Sequence, residues 1–253
     1  MPYIKFRLAV HRTKVMMAYR LLLLSQLFVL FYGAYSQSYL NNEQRLNAFK
    51  KSYNNSQSDI IIFLDVSGSV SDYGFHAEKY FVSSLLNEFS MAFYSTRVAI
   101  ITFGWRVKTD INYINLEGKK TEDTTKCEFK KIFEYQVNHR YGRATNMKST
   151  FRHGHDLLIE AERLGWKRRN INTVAFMITD GAWNMGDPRD EARSLRSSKY
   201  NVDMFSIGVD GAQRWQLEAI ASSQDKVIYA NTFTQFKQLA KYIRGGMHRI
   251  VIE

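Results

Sequence analysis

Five consecutive apolar residues, Ile60-Ile61-Ile62-Phe63-Leu64, follow the polar stretch from Ser52 and lead straight into Asp65. A run of that length without alternation suits a β-strand covered on both faces, as found in the parallel sheets of α/β folds. The next apolar residues, Ala77, Phe81, Leu85, Phe89 and Ala92, recur every three or four positions and predict an amphipathic helix. The pattern then repeats. Arg97 to Phe103 reads as a strand, turned back at Gly104-Trp105 into another over Val107 to Leu116. Met147, Phe151, Leu158 and Ala161 mark a helix, Thr173 to Ile178 a central strand and Val202 to Val209 a further one. Leu217, Ile220 and Ala221 mark a short helix, Lys226 to Tyr229 a strand, and Phe236, Leu239, Ala240 and Ile243 a closing helix. Strands alternating with helices specify a doubly wound α/β fold, a mostly parallel β-sheet flanked by helices. The chain of 253 residues has room for one such core and no second domain of ordinary size.

The amino-terminal segment has a different character. Lys5, Arg7, Arg12, Lys14 and Arg20 precede a charge-free run from Leu21 to Asn42, Leu-rich up to Tyr32, and Ala34-Tyr35-Ser36 is a small-x-small pattern. A basic start, a short apolar core and small residues after it read as a secretory signal peptide over residues 1–36, cut near Ser36/Gln37. The rival is an uncleaved anchor, which would place Tyr32, Gly33 and Ser36 in lipid. Removing the five cations leaves 30 basic against 24 acidic residues, a net charge of +6. Residues 37–58, rich in Asn, Ser and Gln, read as a polar linker with one helical turn near Leu46 to Phe49. The linker holds the sequon Asn54-Asn55-Ser56, which makes Asn54 the candidate glycosylation site. The single cysteine, Cys127, excludes an internal disulfide framework and a cysteine-paired zinc site; it either pairs with another chain or is buried as a free thiol.

In doubly wound folds the ligand crevice lies beyond the carboxyl ends of the strands. After the first strand comes Asp65-Val66-Ser67-Gly68-Ser69, after the central strand Thr179-Asp180-Gly181, and between them Tyr141-Gly142-Arg143-Ala144-Thr145-Asn146 leads into a helix. Two carboxylates and three hydroxyls on one sheet edge form a hard-oxygen donor set, suited to Mg²⁺, Mn²⁺ or Ca²⁺. Two aspartates offset a dication and leave it electrophilic toward an anionic ligand. Enzyme signatures are missing: no Gly-x-Ser-x-Gly surrounds Ser67, and neither Gly-x-x-x-x-Gly-Lys nor His-Glu-x-x-His occurs. His153 and His155, two apart on a helix, do not share a face and do not form a metal pair.

Asp65, Ser67 and Ser69 in an Asp-x-Ser-x-Ser loop, a distal Thr145 and the Thr-Asp-Gly carrying Asp180 resemble the metal-ion-dependent adhesion site of von Willebrand factor type A domains. The likeness spans residues 59–246, with 247–253 as a tail, and implies the Rossmann-like von Willebrand A fold. The segments Thr96-Arg97-Val98-Ala99-Ile100, Asp110 to Ile114, Lys126-Cys127 and Thr179 to Arg189 are most similar to the first A domain of large extracellular proteins that combine sushi, type A, EGF and pentraxin modules. Those relatives carry a second cysteine near the last strand, where this chain has Asp225-Lys226-Val227-Ile228. The resemblance implies a secreted, extracellular adhesion module and no enzyme. Mg²⁺, or Mn²⁺ or Ca²⁺, would sit on the five residues, and a partner's Glu or Asp carboxylate would take the open position. The partner would be a matrix or cell-surface protein, not nucleic acid, and a membrane would be involved only with the leader uncleaved. The alternatives are a regulatory A domain of a complement-like proteolytic cascade and a membrane-anchored receptor ectodomain with a vestigial site.

Around the site, Trp105, Tyr141 and Trp183 are candidates for an aromatic rim. Arg143, where the family commonly has glycine, would place a cation there. Lys119-Lys120, Lys130-Lys131 and Lys167-Arg168-Arg169 read as a solvated face, with a glycosaminoglycan or other polyanion as the alternative partner.

Overall fold

The computed structural model describes residues 20, 23–26, 42–48, 57–92, 95–113, 121–138, 140–142, 144–168 and 170–245. The chain divides into two compact units, Met1–Asn42 and Glu43–Glu253. In the first, residues 23–26 are helical and exposed. Signal cleavage at Ser36/Gln37, the sequon at Asn54 and the 247–253 tail lie outside the described residues. Among those described, no helix is long and apolar enough to cross a membrane.

The second unit is built on the apolar run. Strand β1 (Ser58–Asp65) is buried at every position and pairs in parallel with β2 (Arg97–Phe103) on one side and β4 (Asn172–Thr179) on the other. Strand β3 (Val107–Ile111) folds back antiparallel on β2, while β5 (Val202–Val209) and β6 (Val227–Ala230) extend the sheet in parallel beyond β4. The strand order β3-β2-β1-β4-β5-β6 puts the reversal of winding between β1 and β4. That is where a doubly wound sheet opens its crevice. The third strand ends earlier than its alternation suggests, at Ile111, and residues 114–116 lie outside the described part.

Helices cover both faces: α1 (Asp72–Asn87), α2 (Glu122–Gln136), α3 (Met147–Arg163), α4 (Arg189–Ser197), α5 (Arg214–Ile220) and α6 (Phe233–Gly245). One core joins Ile61 and Phe63 of β1 to Ala99 and Ile101, Ala175 and Met177, and to Phe151, Leu158 and Ala161 of α3. Alternation sends Ile60, Ile62 and Leu64 to the other face, where α1 and α6 pack together with Phe81 stacked on Phe236 at 4.4 Å. Each fully buried side chain of this kind contributes about 1.5–3 kcal/mol. Residues 43–48 are helical, Leu46 is buried and Arg45 donates to the Val227 carbonyl, so this end of the expected linker packs on the unit.

Close packing gives Gly154 of α3 a specific role. A Cβ built there would stand 2.6 Å from Cζ of Phe63, whose ring meets Phe151 edge-on at 5.6 Å. Alanine gains about 1 kcal/mol in helix propensity over glycine, but displacing a close-packed ring costs about 1–3 kcal/mol. Gly154→Ala is therefore expected to lower the urea midpoint; a raised midpoint would show that the Phe63 ring yields freely.

Candidate metal site at the sheet edge

Each loop that follows a strand of the switch point delivers part of the site. Asp65 ends β1 fully buried, and its carboxylate is fixed from two sides: the Ser67 amide donates to Oδ1 at 2.8 Å and the Thr179 hydroxyl to Oδ2 at 2.6 Å. Ser67 Oγ lies 2.9 Å from Ser69 Oγ, and Ser69 Oγ donates to Asp180 Oδ1 at 2.8 Å. The Thr145 hydroxyl reaches Ser67 Oγ at 3.5 Å. Ser69 is exposed, whereas Ser67, Thr145 and Asp180 are buried, so the group opens to solvent on one side.

The scaffold holds these loops in register. Ser71 caps α1 by accepting from the Gly74 amide, and Asn146 caps α3 by accepting from the Ser149 amide. Both helices therefore begin directly after a site residue. Asn184 binds the Thr145 amide through Oδ1 at 2.9 Å, tying the loop after β4 to the one before α3. Gly104 allows the close approach of a third loop, since a Cβ there would lie 2.5 Å from the Tyr141 carbonyl. A Cβ on Gly181 would stand 3.3 Å from Ser69 Oγ and 3.7 Å from Thr145 Oγ1. The bare backbone there leaves space against two donor hydroxyls, as a bound ion requires.

Electrostatics place strain on the pair of carboxylates. Burial raises Asp65 above the ordinary carboxylate range, against the hydrogen bonds from Thr179 and Ser67. Burial and then the Asp65 charge push Asp180 up to about 6. A third carboxylate, Glu78 of α1, is fully buried with neither oxygen hydrogen-bonded among the described residues. Burial holds it well above its ordinary value, and the Asp65 and Asp180 charges add to that. Arg140 is the nearby cation, donating to the Ser67 carbonyl at 3.3 Å and to Asp72 at 3.4 Å. A dication would relieve this accumulation of negative charge. Among the described residues no three His, Cys, Asp or Glu side chains group as a metal site; the two carboxylates and three hydroxyls gathered here are hard oxygens, a chemistry that suits a hard cation.

The chain matches the family model of the von Willebrand factor type A domain over residues 59–242. The chain belongs to that family. It is 30% identical over 187 residues to the sushi, von Willebrand factor type A, EGF and pentraxin domain-containing protein 1 of Mus musculus, a match covering 72% of this chain and 5% of that protein. With the collagen alpha-5(VI) chain of Homo sapiens it shares 27% over 186 residues, 73% of this chain and 6% of the relative. Proximal thread matrix protein 1 from the mussel byssus has a similar structure, with a TM-score of 0.61 and 25% identity over 75% of this chain and 47% of that one. The same byssus protein has been solved with a zinc-occupied MIDAS motif, at a TM-score of 0.59 and 23% identity. The chain thus spans only a small part of the curated relatives' length.

Within this type A domain the candidate rim residues differ in exposure. Trp105 is 60% exposed, while Tyr141 and Trp183 are half-buried, and Arg143 lies outside the described residues. Trp183 meets Trp215 edge-on at 5.5 Å, and the Trp183 amide donates to Gln216. Trp215, 56% exposed, is the ring neighbour of Trp183 that no sequence motif marks. His153 bonds Thr109 and His155 packs on Tyr200, so the two histidines serve different neighbours. Cys127 is exposed on α2, which removes the buried-thiol reading: an amphipathic helix with only a few apolar residues turns it to solvent.

Proposed function

We propose that this type A domain is an extracellular binding module in which Asp65, Ser67, Ser69, Thr145 and Asp180 hold a divalent cation, Mg²⁺ first and Mn²⁺ or Ca²⁺ as substitutes. The cation supplies an electrophilic position for a Glu or Asp carboxylate of a protein partner. Continuity from Thr145 through Ser67 and Ser69 to Asp180, every step 3.5 Å or less, is the observation that carries the reading. The amino-terminal ends of α1 and α3 lie beside the site, and their partial positive charge favours an anionic ligand above it. Trp105, Tyr141 and the Trp183–Trp215 pair supply apolar contact around that carboxylate. The basic start and apolar run of residues 1–36 support secretion, and the hard-oxygen donor set supports binding over catalysis.

Thermal melts of the full chain in EDTA and in each cation test it, with Asp65→Ala and the exposed Ser69→Ala beside the parent. A cation at a hundred times its dissociation constant adds about 2.7 kcal/mol, a rise of roughly 5–10 °C for a domain of this size. The rise is expected to vanish in Asp65→Ala and to shrink in Ser69→Ala. No rise with any cation would refute the site; a rise that survives Asp65→Ala would place the ion elsewhere.

A further inference from the structure

Of the lysine-rich segments, Lys167 and Arg168 are drawn onto the buried Asp59, at 3.7 and 2.6 Å, and do not form a solvated face. Arg169 and Lys119-Lys120 lie outside the described residues. Lys130 of α2 is different: it is exposed and has no partner among the described residues. It stands at a cleft between α1 and α2. His76, Lys79, Ser83 and Asn87 recur every three or four positions along α1, and Lys126, Lys130 and Glu134 every four along α2, so each helix turns one face to the space between them. The two helices are bridged at both ends. Lys79 pairs with Glu134 at 2.9 Å and donates to the Val137 carbonyl at 3.2 Å, while Lys126 donates to the Asn87 carbonyl at 3.2 Å.

Between the bridges a cleft of about 510 Å³ remains open, a volume in the range of small-molecule sites. Leu86, Met91 and Phe129, all buried, give it an apolar floor near Asn87. The charges along it do not cancel. Glu134 answers Lys79, and a carbonyl brings no charge to Lys126, so Lys126 and Lys130 leave two positive charges beside that floor. Three apolar side chains gathered at one end offer no row of pockets for a partner helix, which anchors at i, i+4 and i+7. A neutral lipid would leave the ammonium groups unanswered, and a hydrophilic anion would leave the floor wet. An apolar body with one anionic head meets both needs: the body covers Leu86, Met91 and Phe129, and the head accepts from the free ammonium of Lys130.

We propose that the α1–α2 cleft binds a small amphiphilic anion, an acyl or aryl group carrying one carboxylate or sulfonate. Leu86 follows the cap residue Ser71 by fifteen positions along α1, about 22 Å at ~1.5 Å per residue. The apolar end of the cleft therefore stands clear of the metal site, and both can be filled at once. Cys127, the single cysteine, lines the same cleft and is exposed, so its thiol reports on occupancy.

Fluorescence titration of the full chain with anilinonaphthalene sulfonate, an aromatic sulfonate, tests the proposal. Decanoate, acetate, decylamine and a Glu-Phe-Asp tripeptide serve as competitors. Saturable one-to-one binding of the dye is expected, equal in EDTA and in Mg²⁺. Decanoate should displace it. Acetate has the head without the chain and decylamine the chain with the opposite charge, and both should compete at least about tenfold less well. Lys130→Gln is expected to weaken decanoate about tenfold, the worth of one charge-assisted contact. Lys131→Gln, the same charge change one residue along and outside the cleft, should bind as the parent. Saturating decanoate should slow alkylation of Cys127 by iodoacetamide about tenfold or more, which places the ligand in this cleft. No saturable binding, dependence on the metal, equal competition by decylamine, equal losses in Lys130→Gln and Lys131→Gln, or an unprotected Cys127 would each overturn it. Tighter competition by the tripeptide than by decanoate would overturn it too, assigning the cleft to a protein segment.

Discussion

Asp59→Asn is expected to lower the unfolding free energy by about 3–5 kcal/mol, the cost of stranding buried charge when one partner is removed. The change is isosteric, so cavity formation contributes little; asparagine keeps one acceptor oxygen and turns an NH2 donor toward the guanidinium donors. Neutralising the carboxylate leaves Arg97 sealed in the sheet edge with no counter-charge, and Arg168 and Lys167 facing it. Against a typical domain stability of about 5–15 kcal/mol, this is a large fraction. Urea unfolding followed by fluorescence would show the midpoint falling with little change in slope. Arg193→Ala, at an exposed pair with Asp190, is the comparison, where no measurable change is expected. A loss below about 1 kcal/mol in Asp59→Asn would mean that water already screens the cluster.

What the sequence shows of this architecture is what local pattern can show. Of the five candidate metal-site residues, Asp65, Ser67, Ser69 and Asp180 stand at or just after the ends of β1 and β4, which a parallel sheet brings together, while Thr145 stands just before α3. Asp65 and Asp180 lie 115 positions apart yet converge through the β1–β4 pairing. Two helices escaped periodicity. Helix α4 buries only Ala192 and Leu195 in nine residues, and α2 carries so many charges that its apolar side, with Phe129 and Phe133, is too narrow to stand out. Glu78 and Arg140 were illegible for a different reason: nothing nearby in sequence marks Glu78 as facing inward, since α1 could have turned a charged residue outward. Only the packing of α1 and α6 over the sheet seals it beside the two aspartates. Asp59 likewise reads as the polar start of a strand until Arg97 and Arg168, 38 and 109 positions away, close around it.

Protons and the cation compete for the same carboxylates, so metal stabilisation is expected to grow steeply between pH 5 and pH 7.5. Asp180 is held at about 6 against an ordinary 3.8. An acid with a raised folded value binds its proton more tightly in the native state, so its contribution is complete below pH 3.8 and is lost as pH rises through about 6. Screening by solvent keeps this contribution below about 3 kcal/mol, and burial shifts Asp65 and Glu78 in the same direction. In EDTA the melting temperature should therefore fall on going from pH 5 to 7.5. With Mg²⁺ the ionised pair is neutralised by the ion, and the fall should be offset or reversed. Asp180→Asn removes the titrating group while keeping an oxygen toward Ser69; its melt in EDTA should be flatter with pH and its response to Mg²⁺ small. An equal Mg²⁺-induced rise at both pH values would show that binding releases no proton from these carboxylates. A steeper rise at high pH that persists in Asp180→Asn would move the linkage to Asp65 or Glu78, with Glu78→Gln separating those two.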